Sequence, residues 1–282
     1  MTDGQDSAPP PPAGVDVEKP SAARIYDWYL GGTNNWAVDR EFGKKVVELL
    51  PHAKVLAQQN RRTMNRIVRA ALDAGVRQFL DLGSGVPTVG NVHEVVREHL
   101  PEGERASVVY VDYEPVAAAH AKVLLEQDGA TDWATLVQAD LRDTDKVVED
   151  PATRELIDFT RPVCLLMIAV LHFFGDDDQP GRIVRRYQRK LAPGSWLAIS
   201  HGTDENLPAE RAGQMQRFVA AYRDTSNPMW LRSSAEIKKW FGDWRLVEPG
   251  IVHIAKWRVE EQMDPRNELA APFGWVGVAK KG

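Results

Sequence analysis

The segment Phe79-Leu-Asp-Leu-Gly-Ser-Gly-Val-Pro87 carries the residue types of a ligand-binding turn. An apolar run holding one acid, Asp81, ends in Gly83, Ser84 and Gly85. Glycines let a backbone pass close to a ligand where a Cβ would collide with it. Two more apolar runs end in acids. Asp112 closes Val108 to Asp112, with Tyr113 beside it, and Asp140 follows Thr135 to Ala139, with Leu141 beside it. A carboxylate at a strand end, next to a glycine turn, can accept hydrogen bonds from both hydroxyls of a ribose.

These residues need strands to present them. Gln78–Leu82, Val108–Asp112, Thr135–Ala139, the wholly apolar Val163–Val170 and Trp196–Ser200 read as strands. Helical patterns lie between them, at Asn91–Leu100, from Pro115, and from a cap at Asp178 to Pro193. Such alternation implies a parallel sheet with helices on both faces, which binds ligands at the carboxyl ends of its strands. Upstream, apolar spacing predicts helices around Phe42–Leu50 and over Lys54–Ala74. Downstream, residues 208–223 read as a helix, Ser233–Glu236 as a capping box, and 246–247 and 251–257 as extended. Phe273–Ala279 reads as a last strand.

Three ligands compete for the glycine turn. A dinucleotide turn reads G-x-G-x-x-G, but here four residues separate Gly85 from Gly90, so the third glycine is displaced. A phosphate-binding loop needs Gly-Lys-Ser/Thr, which is missing. A nucleoside joined to an amino acid needs two glycines and an acid within the strand, which Gly83, Gly85 and Asp81 supply. That is the arrangement of class I methyltransferases, where the acid after the third strand addresses the adenine amino group. A tight strand-to-helix turn without ligand is the plain alternative for the glycine pair alone. Three acids at three consecutive strand ends favour a ligand.

Arg24-Ile-Tyr-Asp-Trp-Tyr-Leu-Gly-Gly32, Asn34, Asp39-Arg40, the segment from Gln78 to Thr88, Val92-His-Glu94, Val109–Asp112, Val170-Leu-His172, Pro193-Gly-Ser195 and Ser200-His201 resemble a family of S-adenosylmethionine-dependent methyltransferases long described as a domain of unknown function. The likeness spans residues 20 to 280. It implies a class I, Rossmann-like α/β fold, its sheet mostly parallel with an antiparallel last strand, with an N-terminal helical extension, and S-adenosylmethionine as cofactor. Tyr113-Glu114 departs from it, where an Asn- or Asp-rich pair is expected. Cofactor contacts are expected from Asp81, Gly83, Ser84, Gly85, Asp112, Tyr113, Asp140 and Leu141, and from Tyr26, Gly31 and Gly32 in the N-terminal segment.

The acceptor side is less determined. His172, after the fourth strand, can act as a general base toward a hydroxyl, or can shape the pocket through hydrogen bonds to loop backbone. His201 carries the same ambiguity. Tyr26, Trp28 and Tyr29 with Gly31-Gly32 can form a lid over the cofactor, or pack on the sheet. Residues 203–243, with Met215, Phe218, Tyr222 and Trp230, can roof an acceptor pocket; core packing explains them equally well. Arg62, Arg66 and Arg69 share a helix face, as solvated charge or as partners for an anionic acceptor.

Composition narrows the classes. A net charge of -5 disfavours general nucleic-acid binding, so a small-molecule acceptor is expected. The one cysteine, Cys164, sits in an apolar run, and the sequence has no metal-ligand cluster of the CxxC type. No signal segment or membrane span is legible, so a cytoplasmic location is expected. Expected domains are a disordered tail over 1–20, a helical cap or lid over 21–75, and the cofactor domain over 76–282. A binding protein without catalysis is the alternative function, and an NAD-dependent oxidoreductase is disfavoured by the displaced glycine. The oligomeric state is not legible.

Overall fold

Residues 16–259 and 264–282 are described in a computed structural model of the chain. Eight strands form one sheet: β1 (Gln78–Leu82), β2 (Ser107–Asp112), β3 (Ala134–Gln138), β4 (Cys164–Ile168), β5 (Trp196–Gly202), β6 (Arg245–Leu246), β7 (Val252–His253) and β8 (Gly274–Lys280). Their order is β3-β2-β1-β4-β5-β8-β6, and β7 also pairs with β8. β1 to β5 run parallel; β8 lies antiparallel to β5, as expected for the last strand.

The helices are α1 (Ala22–Leu30), α2 (Ala37–Leu49), α3 (Ala53–Asp73), α4 (Val92–His99), α5 (Pro115–Gln127), α6 (Thr144–Glu149), α7 (Pro151–Leu156), α8 (Pro180–Lys190), α9 (Ala209–Ala221), α10 (Ser234–Trp240) and α11 (Pro265–Ala270). Side chains of successive strand residues point to opposite faces. Leu80, Leu82, Val109, Leu165 and Leu197 therefore pack on one face with Ile183 and Tyr187 of α8 and Ile237 of α10. Phe79, Val108, Cys164 and Ala198 pack on the other with Met64, Ile67 and Val68 of α3. Asp81 has the parity of Phe79, so its side chain belongs to the face covered by α3.

A third apolar cluster lies beside the sheet. Ile25 and Tyr29 of α1 meet Val46 of α2, Ala57 of α3, Met215 and Phe218 of α9, Tyr222 and Phe273. The N-terminal helices and the segment after β5 thus form one cap.

Several local expectations need correction. Asp178 does not cap α8: Gln179 takes that position in a left-handed conformation, and the Asp178 carboxylate accepts from the Gly175 N–H. Within 251–257 only Val252–His253 is strand. Residues 254–256 make a 3-10 turn that buries Ile254 and Trp257, and Thr63 Oγ1 and Arg66 Nε donate to the Ile254 and Trp257 carbonyls. Most of the expected disordered tail, 1–15, lies outside the described residues. In its last part, the Asp16 and Lys19 carbonyls accept from Arg24, so those residues are held against the fold. Among the described residues, no helix is long and apolar enough to cross a membrane.

Candidate active site

The carboxyl ends of β1, β2, β3 and β4 open into a cavity of about 480 Å³, a size suited to small molecules. Asp81, Gly83, Ser84, Gly85, Asp112, Tyr113, Asp140 and Leu141 all line it, as do Tyr26, His172, Met215, Phe218, Tyr222 and Trp230.

Gly83 and Gly85 have φ of +71° and +69°, a conformation strained for residues bearing a Cβ. A Cβ on Gly83 would lie 2.2 Å from Val170 Cγ2, while one on Gly85 would meet nothing nearer than Ala23 at 4.0 Å. The Gly85 N–H donates to Asp112 Oδ2 at 2.8 Å, and the Glu114 N–H to Oδ1 at 2.9 Å. The acid of β2 is thereby fixed against the glycine turn. Burial pushes its carboxyl up to about 6 despite those two donors. Ser84 Oγ is buried with no hydrogen-bond partner among the described residues.

Asp81 is only 4% exposed, and burial raises its carboxyl to about 7, an effect moderated by Arg61. Arg61 lines the same cavity from α3, beside the Tyr26 ring. Among the described residues, neither the Asp81 carboxylate nor the Arg61 guanidinium has a hydrogen-bond partner. Arg62, Arg66 and Arg69, the arginines that share a helix face, do not line this cavity, whereas Arg61 does. The signal was present, since Arg61 sits three residues before Met64 and seven before Val68, on the buried stripe of α3.

Asp140 reaches the cavity but is engaged. Arg142 Nη2 lies 2.6 Å from its Oδ2 and Arg142 Nη1 3.1 Å from Asp178. Burial raises the Asp140 carboxyl, but Arg142's side-chain and backbone hydrogen bonds outweigh it and hold the group below its usual range. Any amino group addressed by Asp140 shares it with Arg142.

The N-terminal segment lies at the mouth of the glycine turn. Ala22, Ala23, Tyr26 and Tyr29 line the cavity. Tyr26 Oη donates to the Ala57 carbonyl and accepts from Asn60. Trp28, on the other side of the helix, packs under Lys54 instead. Gly31 and Gly32 do not line the cavity, contrary to expectation. Gly31 ends α1 at φ +88°, and Gly32 presses on Asp27, leaving 2.0 Å between a Cβ there and Asp27 Oδ1.

Two buried acid clusters fasten α1. Asp27 accepts from Thr88 Oγ1 at 2.7 Å, just past the glycine turn, and from Asn35. Arg24, 1% exposed, donates to Asp39 and to Glu114 at 2.8 Å each. Glu114, the residue that departs from the family pattern, is therefore the anchor that ties α1 to the end of β2. Asn227 adds a third tie, accepting from the Ala22 N–H and donating to Tyr113 Oη.

At the end of β4, Ala169 has φ +53°, a strained backbone where the His172 loop begins. His172 is buried, and among the described residues its Nδ1 has no partner, so no hydrogen bond from Nδ1 to loop backbone supports the shaping alternative. Its own carbonyl accepts from the Trp230 N–H. Burial, then His201 and Arg232, hold the imidazole pKa well below its ordinary value, so the ring is neutral. His201 lies 5.7 Å away, ring to ring; burial lowers it to about 4, and its Nδ1 pairs with the Gly202 carbonyl. It backs His172 rather than presenting a second base.

A parallel sheet with this order, an antiparallel last strand, and a glycine turn tied to the acid of the next strand define a class I nucleoside-binding α/β fold. The sequence profile described as S-adenosyl methyltransferase matches residues 9–282. The chain belongs to that family: it is an enzyme and uses S-adenosylmethionine. Its structure is similar to that of a candidate methyltransferase from Thermobifida fusca YX, with 39% identity over 96% of this chain and 98% of that one, and a TM-score of 0.85. A DUF574 family protein from Streptomyces avermitilis MA-4680 has 36% identity over 95% and 99%, with the same TM-score. An O-methyltransferase family protein from Burkholderia thailandensis shares the fold at 14% identity, covering 82% of this chain and 58% of that one, with a TM-score of 0.53. A comparison with curated protein sequences gave no match.

Proposed function

We propose that the enzyme methylates an oxygen of a small molecule bound in the same cavity as the cofactor. The observation that supports this reading is one continuous cavity, running from the Gly83–Gly85 turn past His172 to the apolar wall of Met215, Phe218 and Tyr222. The residues at the glycine end suit the cofactor. Asp112 would accept from the ribose hydroxyls, Leu141 would lie against the adenine ring, and Asp140 would address its amino group. Ser84 Oγ, buried without a partner, is free to bond the ligand. Asp81 and Arg61 form a pair of opposite charges, each without a hydrogen-bond partner among the described residues, which matches the ammonium and carboxylate of an amino acid. When bound, S-adenosylmethionine supplies an electrophilic methyl group on a sulfonium.

The chain's own task is to position, to exclude water and to move one proton. α1, tied by Arg24 and Asp27, covers the glycine end, and the segment 203–243 covers the other. Holding two reactants in one dry chamber removes most of the entropic part of a displacement barrier. His172, being neutral, would accept a hydrogen bond from the acceptor hydroxyl and take its proton as the oxygen–carbon bond forms and the methyl's bond to the sulfonium sulfur breaks, leaving S-adenosylhomocysteine as the departing product. Its depressed pKa returns that proton readily. We also place the enzyme in a reducing compartment such as the cytoplasm, on the single buried thiol of Cys164.

Incubation with methyl-labelled S-adenosylmethionine and the small-molecule fraction of a cell extract tests the reading. Label should appear as a methyl ether or ester of low mass. Label confined to protein or nucleic acid would contradict it.

A further inference from the structure

Tyr29 on α1 and Tyr222 after α9 bring their hydroxyls within 3.4 Å at the acceptor end of the cavity. Both residues are buried. Burial raises both phenols far above neutrality, so both remain O–H donors. Each hydroxyl has one hydrogen, and only one of the two can lie between the oxygens. Among the described residues neither hydroxyl has another partner, so in every arrangement one O–H is left over, and the rings around Tyr222 are those of Phe42, Phe173 and Phe218, which offer no strong acceptor. A buried donor of this kind calls for an acceptor atom from a ligand.

The charge distribution says what kind. The charged side chains on the cavity wall are Arg61 and Asp81, Asp112 and Glu114, and the Asp140–Arg142–Asp178 cluster, all at the strand-end side. The Tyr29–Tyr222 end is walled by apolar groups such as Met215, Phe218 and Phe273. A charged ligand group there would lose its hydration without a free counter-ion, because nearby Arg232 is held by Asp176 and the Phe174 carbonyl, and Arg211, over the Phe273 ring, donates to the Leu269 carbonyl. The Phe173 ring lies 4.4 Å from His172 and 6.5 Å from Tyr222, so the imidazole and the hydroxyl pair flank one aromatic ring.

We infer that the acceptor is an uncharged, ring-sized molecule with its nucleophilic hydroxyl at one end and a carbonyl oxygen at the other, and that the Tyr29–Tyr222 pair binds that carbonyl. This rests on the small-molecule reading proposed above.

Three matched probes test it on the protein loaded with S-adenosylhomocysteine: 4-hydroxyacetophenone, 4-ethylphenol and 4-hydroxybenzoate, titrated by calorimetry. The ketone should bind about fivefold more tightly than the ethyl compound, the gain of one hydrogen bond. The carboxylate should bind most weakly. Tyr29→Phe or Tyr222→Phe alone leaves one donor and should keep the ketone preference. The double variant should reduce it to less than about twofold, and because both hydroxyls go, no orphan remains to unfold the cap. A ketone preference that survives in the double variant would overturn the inference, as would tightest binding of the carboxylate or no binding of the ketone. Failure of S-adenosylhomocysteine itself to bind the parent protein would instead overturn the reading beneath it, and this inference with it.

Discussion

Acidification should weaken cofactor binding steeply, because Asp81 and Asp112, the two acids proposed to face the cofactor, start with raised pKa values. Burial raises Asp81 to about 7 and Asp112 to about 6 in the free protein. Both must be carboxylates to face an ammonium and ribose hydroxyls. The sign follows: lowering pH through these values protonates the free protein and forces binding to release protons. Between pH 7.5 and 5.0, Asp81 alone should lower affinity by nearly a hundredfold, and Asp112 by about tenfold more. The window stops at 7.5 because a free α-amino group loses its proton near 8. Calorimetric titration with S-adenosylhomocysteine at both pH values, in two buffers of different ionisation enthalpy, measures the affinity and the protons released. Asp81→Asn should weaken binding at pH 7.5 and remove most of the slope. An affinity constant within about twofold across the window, or a full slope in Asp81→Asn, would refute the placement of these carboxylates against the cofactor.

Other substitutions separate strain, clamping and chemistry. Gly83→Ala should abolish cofactor binding and lower the melting temperature, since it adds about 1–2 kcal/mol of left-handed strain to a collision with Val170; Gly85→Ala, with open space for its Cβ, should cost only the strain. Arg24→Met should destabilise the fold by about 3–5 kcal/mol in urea titration, because Asp39 and Glu114 would be left buried without their cation. His172→Ala should lower the turnover rate by about 10²–10⁴ while S-adenosylhomocysteine affinity stays within about twofold, and the pH profile should lack a limb at the usual imidazole pKa. Amides of α1 should exchange more slowly when S-adenosylhomocysteine is added, and unchanged exchange there would mark α1 as packing alone.

The sheet was legible because buried parallel strands write themselves as apolar runs, and five of them alternate with helical spacing. Asp81 and Asp112 were legible for the same reason: an acid inside or ending such a run has few other reasons to be there. What the sequence could not supply is contact across long separations. Glu114 read as a departure from a pattern, and only its meeting with Arg24, ninety residues earlier, gives it a role. Gly31 and Gly32 read as ligand-facing, whereas one terminates a helix and the other makes room for Asp27. Arg61 shared a run of arginines, and helical spacing, taken residue by residue, singles it out. Met215, Phe218 and Tyr222 line the cavity and pack in the cap at once, so the two readings of them are not exclusive.

A crystal structure of the protein with S-adenosylhomocysteine tests the central claim most directly. The ribose hydroxyls should lie within hydrogen-bond reach of Asp112, the amino-acid end between Asp81 and Arg61, and the sulfur should face the chamber that holds His172, Tyr29 and Tyr222. Density for the ligand elsewhere on the protein, or with the sulfur turned away from that chamber, would contradict it.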